Sequence, residues 1–146
     1  MAMAPKPAGA NVRVATMCEV RRVRDDVVVA ARRVLVVDDQ AAFHDAVREV
    51  LEVAGFEVIG SAFDAAGALA EFRRLRPDVV LLDIQLPDSD GFEVAAVLAA
   101  ESSAPKVLLT SARDAATYGD RVAGAPAVGF VTKRDLSGRA LVRLLG

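Results

Sequence analysis

Two short apolar runs in this chain stop dead at aspartate. Val34-Leu35-Val36-Val37 leads into Asp38-Asp39, and Val79-Val80-Leu81-Leu82 leads into Asp83. Runs this short, apolar at every position, suit strands buried on both faces, which is the condition of a parallel sheet covered by helices on each side. Such a sheet must be built from strand-helix repeats, because parallel neighbours cannot be joined by tight turns.

From Arg33 onward the sequence supplies five such repeats. Strands are expected over residues 34–37, 57–61, 79–82, 107–109 and 128–131. The first helix places Phe43, Val47, Val50, Leu51 and Ala54 on one stripe before Gly55 stops it. A second, Ala-rich helix is expected over 65–74, ending ahead of Arg76-Pro77. A loop over 83–91, containing Pro87, leads to a helix over 92–100. The fourth helix, within 115–123, is interrupted by Gly119, and the last runs over 136–145. Residues 79–82 read as the central strand.

The 146 residues are 53% hydrophobic and 26% charged, with room for one domain of this class and a tail. No apolar run approaches the roughly 20 residues of a membrane-spanning helix, so no membrane contact is expected. Cys18 is the only cysteine, which rules out an intrachain disulfide and fits the cytoplasm. The net charge of -2 divides unevenly: residues 1–33 carry seven basic and three acidic side chains. Residues 1–32 are therefore expected to form a basic, flexible or loosely helical extension, and 33–146 the folded domain. The extension lacks the interleaved aromatics of a nucleic-acid groove.

In open parallel sheets ligands bind beyond the carboxyl ends of the strands. There the sequence places Asp38 and Asp39, Asp83, Thr110 with Ser111, and Lys133. Three carboxylates that close repel unless a cation shares the site. With oxygen donors only, and too few to fill an octahedron, magnesium is the expected ion. An ammonium and a hydroxyl beside it suit a phosphoryl group, whose transfer needs chiefly an in-line nucleophile, a metal and donors to the equatorial oxygens.

Four segments in order, Val34 to Asp39, Val79 to Pro87 with Asp90-Gly91, Val107 to Thr110, and Gly129 to Lys133, resemble the receiver domains of two-component response regulators. The resemblance spans about residues 34–145. It implies an α/β, doubly wound five-stranded sheet of flavodoxin-like order 2-1-3-4-5. It implies that Asp83 takes a phosphoryl group from a histidine kinase or histidine phosphotransfer protein, and so acts as a switch rather than a turnover enzyme. Asp39, Asp83 and the backbone carbonyl of Gln85 would hold Mg2+, Asp38 acting mainly through water, while Thr110 and Lys133 would bind the phosphoryl group. Thr110 and Phe130 would form the switch, and helix four, strand five and helix five the face that meets an output partner or a second copy in a homodimer. Direct nucleic-acid binding by the receiver itself is not expected.

This sequence departs from the family where Arg134, not proline, follows Lys133, where Phe130 brings no hydroxyl, and where Ala112 replaces a longer guarding side chain. The Lys133-Arg134 bond is left open between trans and cis, and Ala112 is expected to alter water's access to an acyl phosphate. Asp88 and Asp90 read as loop carboxylates that initiate or cap helices, His44 as an exposed helix residue, and Tyr118 as a surface or edge aromatic. A pseudo-receiver and a haloacid-type aspartyl phosphatase are the rival readings; the latter wants two aspartates one residue apart, and here they are adjacent.

Overall fold

The computed structural model describes residues 20–23 and 27–146. The chain divides into two units, Met1–Ala31 and Arg32–Gly146. In the first, β1 (Val20–Val23) and β2 (Val27–Ala30) pair antiparallel, Val23 opposite Val27, a pairing that the sequence reading did not anticipate. Residues 1–19 and 24–26 of the basic extension lie outside the described residues, and its last residue, Arg32, opens the first strand of the second unit.

The second unit holds a five-stranded parallel sheet of β3 (Arg32–Val37), β4 (Phe56–Ala62), β5 (Val79–Asp83), β6 (Lys106–Ser111) and β7 (Gly129–Thr132). Its order is β4-β3-β5-β6-β7, which counted within the sheet is 2-1-3-4-5. As expected from its uniform apolarity, β5 is central and buried at every position. Alternation along the strands splits their side chains between two cores. Leu35, Val37, Val80, Leu82, Val107 and Leu109 pack with α2 (Ala65–Leu75) and α3 (Gly91–Ala99). Val34, Val36, Val79, Leu81, Leu108 and Val131 pack with α1 (Ala41–Val53) and α5 (Gly138–Leu145).

Helix starts follow local capping chemistry. Asp64, Asp90 and Ser137 accept hydrogen bonds from the N–H groups of Gly67, Glu93 and Ala140. Asp88 accepts two more at the start of α2, from Ala65 and Ala66, so both loop aspartates cap as expected. Because Ser137 caps α5, that helix starts at Gly138 and not at Leu136; residues Lys133–Asp135 form a 3-10 turn instead. Gly119, at φ 61°, breaks the fourth helical segment into a 3-10 turn over Ala115–Tyr118 and the short α4 (Asp120–Gly124). Among the described residues no helix is long and apolar enough to cross a membrane.

Gly91 is required by a close approach. A Cβ there would lie 2.5 Å from the Asp83 carbonyl oxygen and 2.8 Å from the Ile84 Cα. The Gly91 N–H donates to Ile84 O at 2.6 Å, and Gln85 bridges Asp90. The loop after β5 is thereby folded back against the strand end.

Candidate functional site

Strand register brings the polar residues together. Val37 pairs with Leu82 and Asp83 with Thr110, so Asp38, one residue beyond Val37, stands abreast of Asp83. The same alternation turns Asp38, Asp83, Thr110 and Lys133 toward the layer of α1 and α5. One carboxylate oxygen each from Asp38, Asp39 and Asp83 lies within 4.8 Å of the others. Asp38 and Asp83 are buried while Asp39 is exposed, giving the cluster a closed floor and one open side. Three oxygens so arranged fit a hard divalent cation.

Lys133 reaches over the cluster. Its Nζ forms an ion pair with Asp38 Oδ2 at 2.6 Å and donates to Asp83 Oδ2 at 3.4 Å, with the Phe43 ring centroid 4.6 Å away. Asp38 Oδ1 accepts from the Gln40 N–H and Asp83 Oδ1 from the Gln85 N–H. The Thr110 hydroxyl is buried without a hydrogen-bond partner, a costly state that a bound oxygen would relieve.

Burial, and then the charge of Asp38, push the Asp83 carboxyl up to about 6; the Gln85 N–H and Lys133 offset only part of this. Burial also pulls the Lys133 ammonium down, but hydrogen bonding to Asp38 and the charges of Asp83 and Asp38 raise it overall. The pair is therefore an ammonium facing carboxylates that carry more negative charge than the site holds comfortably.

One residue differs from expectation. His44 is buried, not exposed: its Nε2–H donates to the Asp38 carbonyl at 2.7 Å, and its ring packs 4.5 Å from that of Phe63. Its position three residues before Val47 on the buried stripe of α1 was the available signal. Tyr118 is half-buried, its hydroxyl 2.6 Å from Ser111 Oγ and its ring edge-on to Phe92 and Phe130. Nothing local in the sequence marks that pairing. Phe130 itself faces the α2 and α3 layer, apart from the carboxylates. The Lys133-Arg134 bond is trans, and Arg134 pairs with Asp114.

The profile of the response regulator receiver domain matches residues 34–143. The chain belongs to that family. Among curated relatives, the DNA-binding response regulator MtrA of Mycobacterium tuberculosis is 46% identical over 85 residues, covering 57% of this chain and 36% of MtrA. The chain spans half or less of the length of the first curated relatives it matches. Among solved structures, the signal receiver domain of the response regulator NarL from Mycobacterium tuberculosis superposes with a TM-score of 0.69 at 34% identity, covering 79% of this chain and 93% of that one. The chemotaxis response regulator CheY4 of Vibrio cholerae gives 0.68 at 25% identity, covering 80% and 97%. This receiver domain thus has the expected fold and family, with an acidic pocket of the kind in which receivers bind Mg2+.

Proposed function

We propose that Asp83 of this receiver accepts a phosphoryl group from the phosphohistidine of a histidine kinase or histidine phosphotransfer protein, in the cytoplasm. The observation that carries this reading is the setting of Asp83: a buried carboxylate, in register with a Thr110 hydroxyl that lacks a partner, and 3.4 Å from the Lys133 ammonium. An Asp83 oxygen attacks phosphorus, the P–N bond breaks, and the imidazole leaves with the electron pair. Thr110 and Lys133 take the charge that builds on the equatorial oxygens. Asp39, Asp83 and the Gln85 carbonyl would hold Mg2+, with Asp38 acting mainly through water; when bound, the ion would supply positive charge that offsets the carboxylates and polarises phosphoryl oxygens.

The acyl phosphate brings a charge of about -1.5 to -2 into the pocket, and the domain acts as a switch rather than as a turnover enzyme. Thr110 is drawn toward it, Phe130 repacks, and the face of α4, β7 and α5 changes its contacts with an output partner or a second copy. An open groove lined by Phe130, Thr132, Arg139 and Arg143 supports the choice of face. Ala112, exposed beside the site, sets the access of water to the acyl phosphate. In this reading residues 33–146 are the switch and 1–32 a basic extension.

Incubation with Mg2+ and acetyl phosphate followed by intact mass tests the reading. Wild type should gain one phosphoryl group and Asp83→Ala none; no gain on wild type, or undiminished gain on the variant, overturns it.

A further inference from the structure

Ser111 and Thr110 are neighbours at the end of β6, both buried, and alternation points them to opposite faces of the sheet. Thr110 serves the acidic pocket. Ser111 Oγ accepts the Arg113 N–H at 3.0 Å and pairs with the Tyr118 hydroxyl at 2.6 Å. Tyr118 in turn sits between two aromatic rings, with centroids 5.7 Å from Phe92 and 6.4 Å from Phe130. The Arg121 guanidinium lies over Phe92 at 4.2 Å and pairs with Asp90, the cap of α3.

Phe130, which has no hydroxyl, cannot report a movement of Thr110 by hydrogen bonding. The one tyrosine in the chain supplies that hydroxyl from a different element, the 3-10 turn before α4. We infer that Tyr118 is a positioning residue: through Ser111 it holds the end of β6 in its resting place, and drawing Thr110 toward a phosphoryl group on Asp83 breaks the Ser111–Tyr118 pair. This rests on the phosphorylation of Asp83 proposed above.

The two residues share one peptide unit, so a backbone shift that carries Thr110 toward the pocket also displaces Ser111. A hydroxyl pair is directional and weakens steeply once misaligned. Released from Ser111, Tyr118 keeps its contacts to Phe92 and Phe130 but loses the bond that fixes its ring plane. The movement is thereby passed to α4, which begins at Asp120 just past Gly119, and to the aromatic ring on β7.

The chain has a single tyrosine and no tryptophan, so emission excited at wavelengths beyond phenylalanine absorption reports Tyr118 alone. The full chain is treated with Mg2+ and acetyl phosphate while emission and intact mass are followed together. In wild type the emission should change with the same time course as the added mass. In Ser111→Ala the mass should still rise, with emission flat from the start. In Tyr118→Phe, which keeps the ring, the loss of one resting-state hydrogen bond should speed phosphorylation about three- to tenfold. Mass gained by wild type without an emission change, the wild-type change persisting in Ser111→Ala, or an unaltered or slower rate in Tyr118→Phe overturns the inference while leaving Asp83 as acceptor. No mass gained by wild type overturns both.

Discussion

The Lys133 ammonium lies closer to Asp38, at 2.6 Å, than to Asp83, at 3.4 Å. Asp38 is fully buried, so its charge depends on Lys133 more than that of any other group in the pocket. Without a metal, Lys133 is thus first a counter-ion of the pocket floor and only second a neighbour of the proposed acceptor.

Replacing Lys133 by methionine should therefore destabilise the metal-free domain by about 3 kcal/mol, the range for leaving a buried charge unpaired. Added Mg2+ should recover more stability in the variant than in wild type. Urea unfolding with chelator and with Mg2+ checks both parts; a loss under 1 kcal/mol in chelator would refute the dependence.

The Asp83 carboxyl has an ordinary value of 3.8 and is raised to about 6 in the folded domain. Between these values the folded state holds a proton that the unfolded state has lost, so the contribution is fully present below about 4 and is lost as pH rises through about 6. Asp83→Asn, which leaves Lys133 paired with Asp38, should flatten this decline. At neutral pH without metal it should gain about 1 to 2 kcal/mol. Thermal unfolding across that pH window in chelator is the measurement, and parallel curves for the two proteins would contradict it.

Gly91→Ala would force a methyl group against the Asp83 and Ile84 backbone. Since neither partner is the flexible end of a side chain, the loop must shift, with an expected loss of about 2 kcal/mol. Because the same loop carries Gln85, Mg2+ affinity measured by calorimetry should fall as well. Unchanged affinity with normal stability would show that the loop accommodates a side chain.

His44→Leu removes the donor to the Asp38 carbonyl while keeping an apolar body on α1. A buried carbonyl left without its partner costs about 1 to 3 kcal/mol. His44→Gln, which retains an N–H, should restore part of that. Comparison of the two by denaturant midpoint separates a hydrogen-bonding role from simple packing, for which leucine would serve as well as glutamine.

The sheet was legible because its strands announce themselves by composition: 79–82 has no polar residue, and Asp38 and Asp83 each follow an apolar run directly. The site was legible for the same reason, since parallel strands must end on one edge. What escaped the reading depends on distance or on a misleading side-chain type. His44 occupies the stripe that Val47 and Leu51 continue, yet its polarity suggested the outer face. The Ser111–Tyr118 pair joins a strand end to a broken helical segment, where no periodicity reports orientation. The start of α5 was misplaced because Leu136 looked like the first residue of an apolar face, although Ser137 was the better cap.

The two hydrophobic layers share no side chains, only the backbone of the strands between them. Thr110 and Ser111 therefore make the end of β6 a lever with one arm in each compartment. Its fulcrum is the hydrogen-bonded ribbon itself, paired with Asp83 on one side and with Val131 and Thr132 on the other. On the reading proposed above, a charge placed on Asp83 in one compartment would be felt in the other through the strand end that both share.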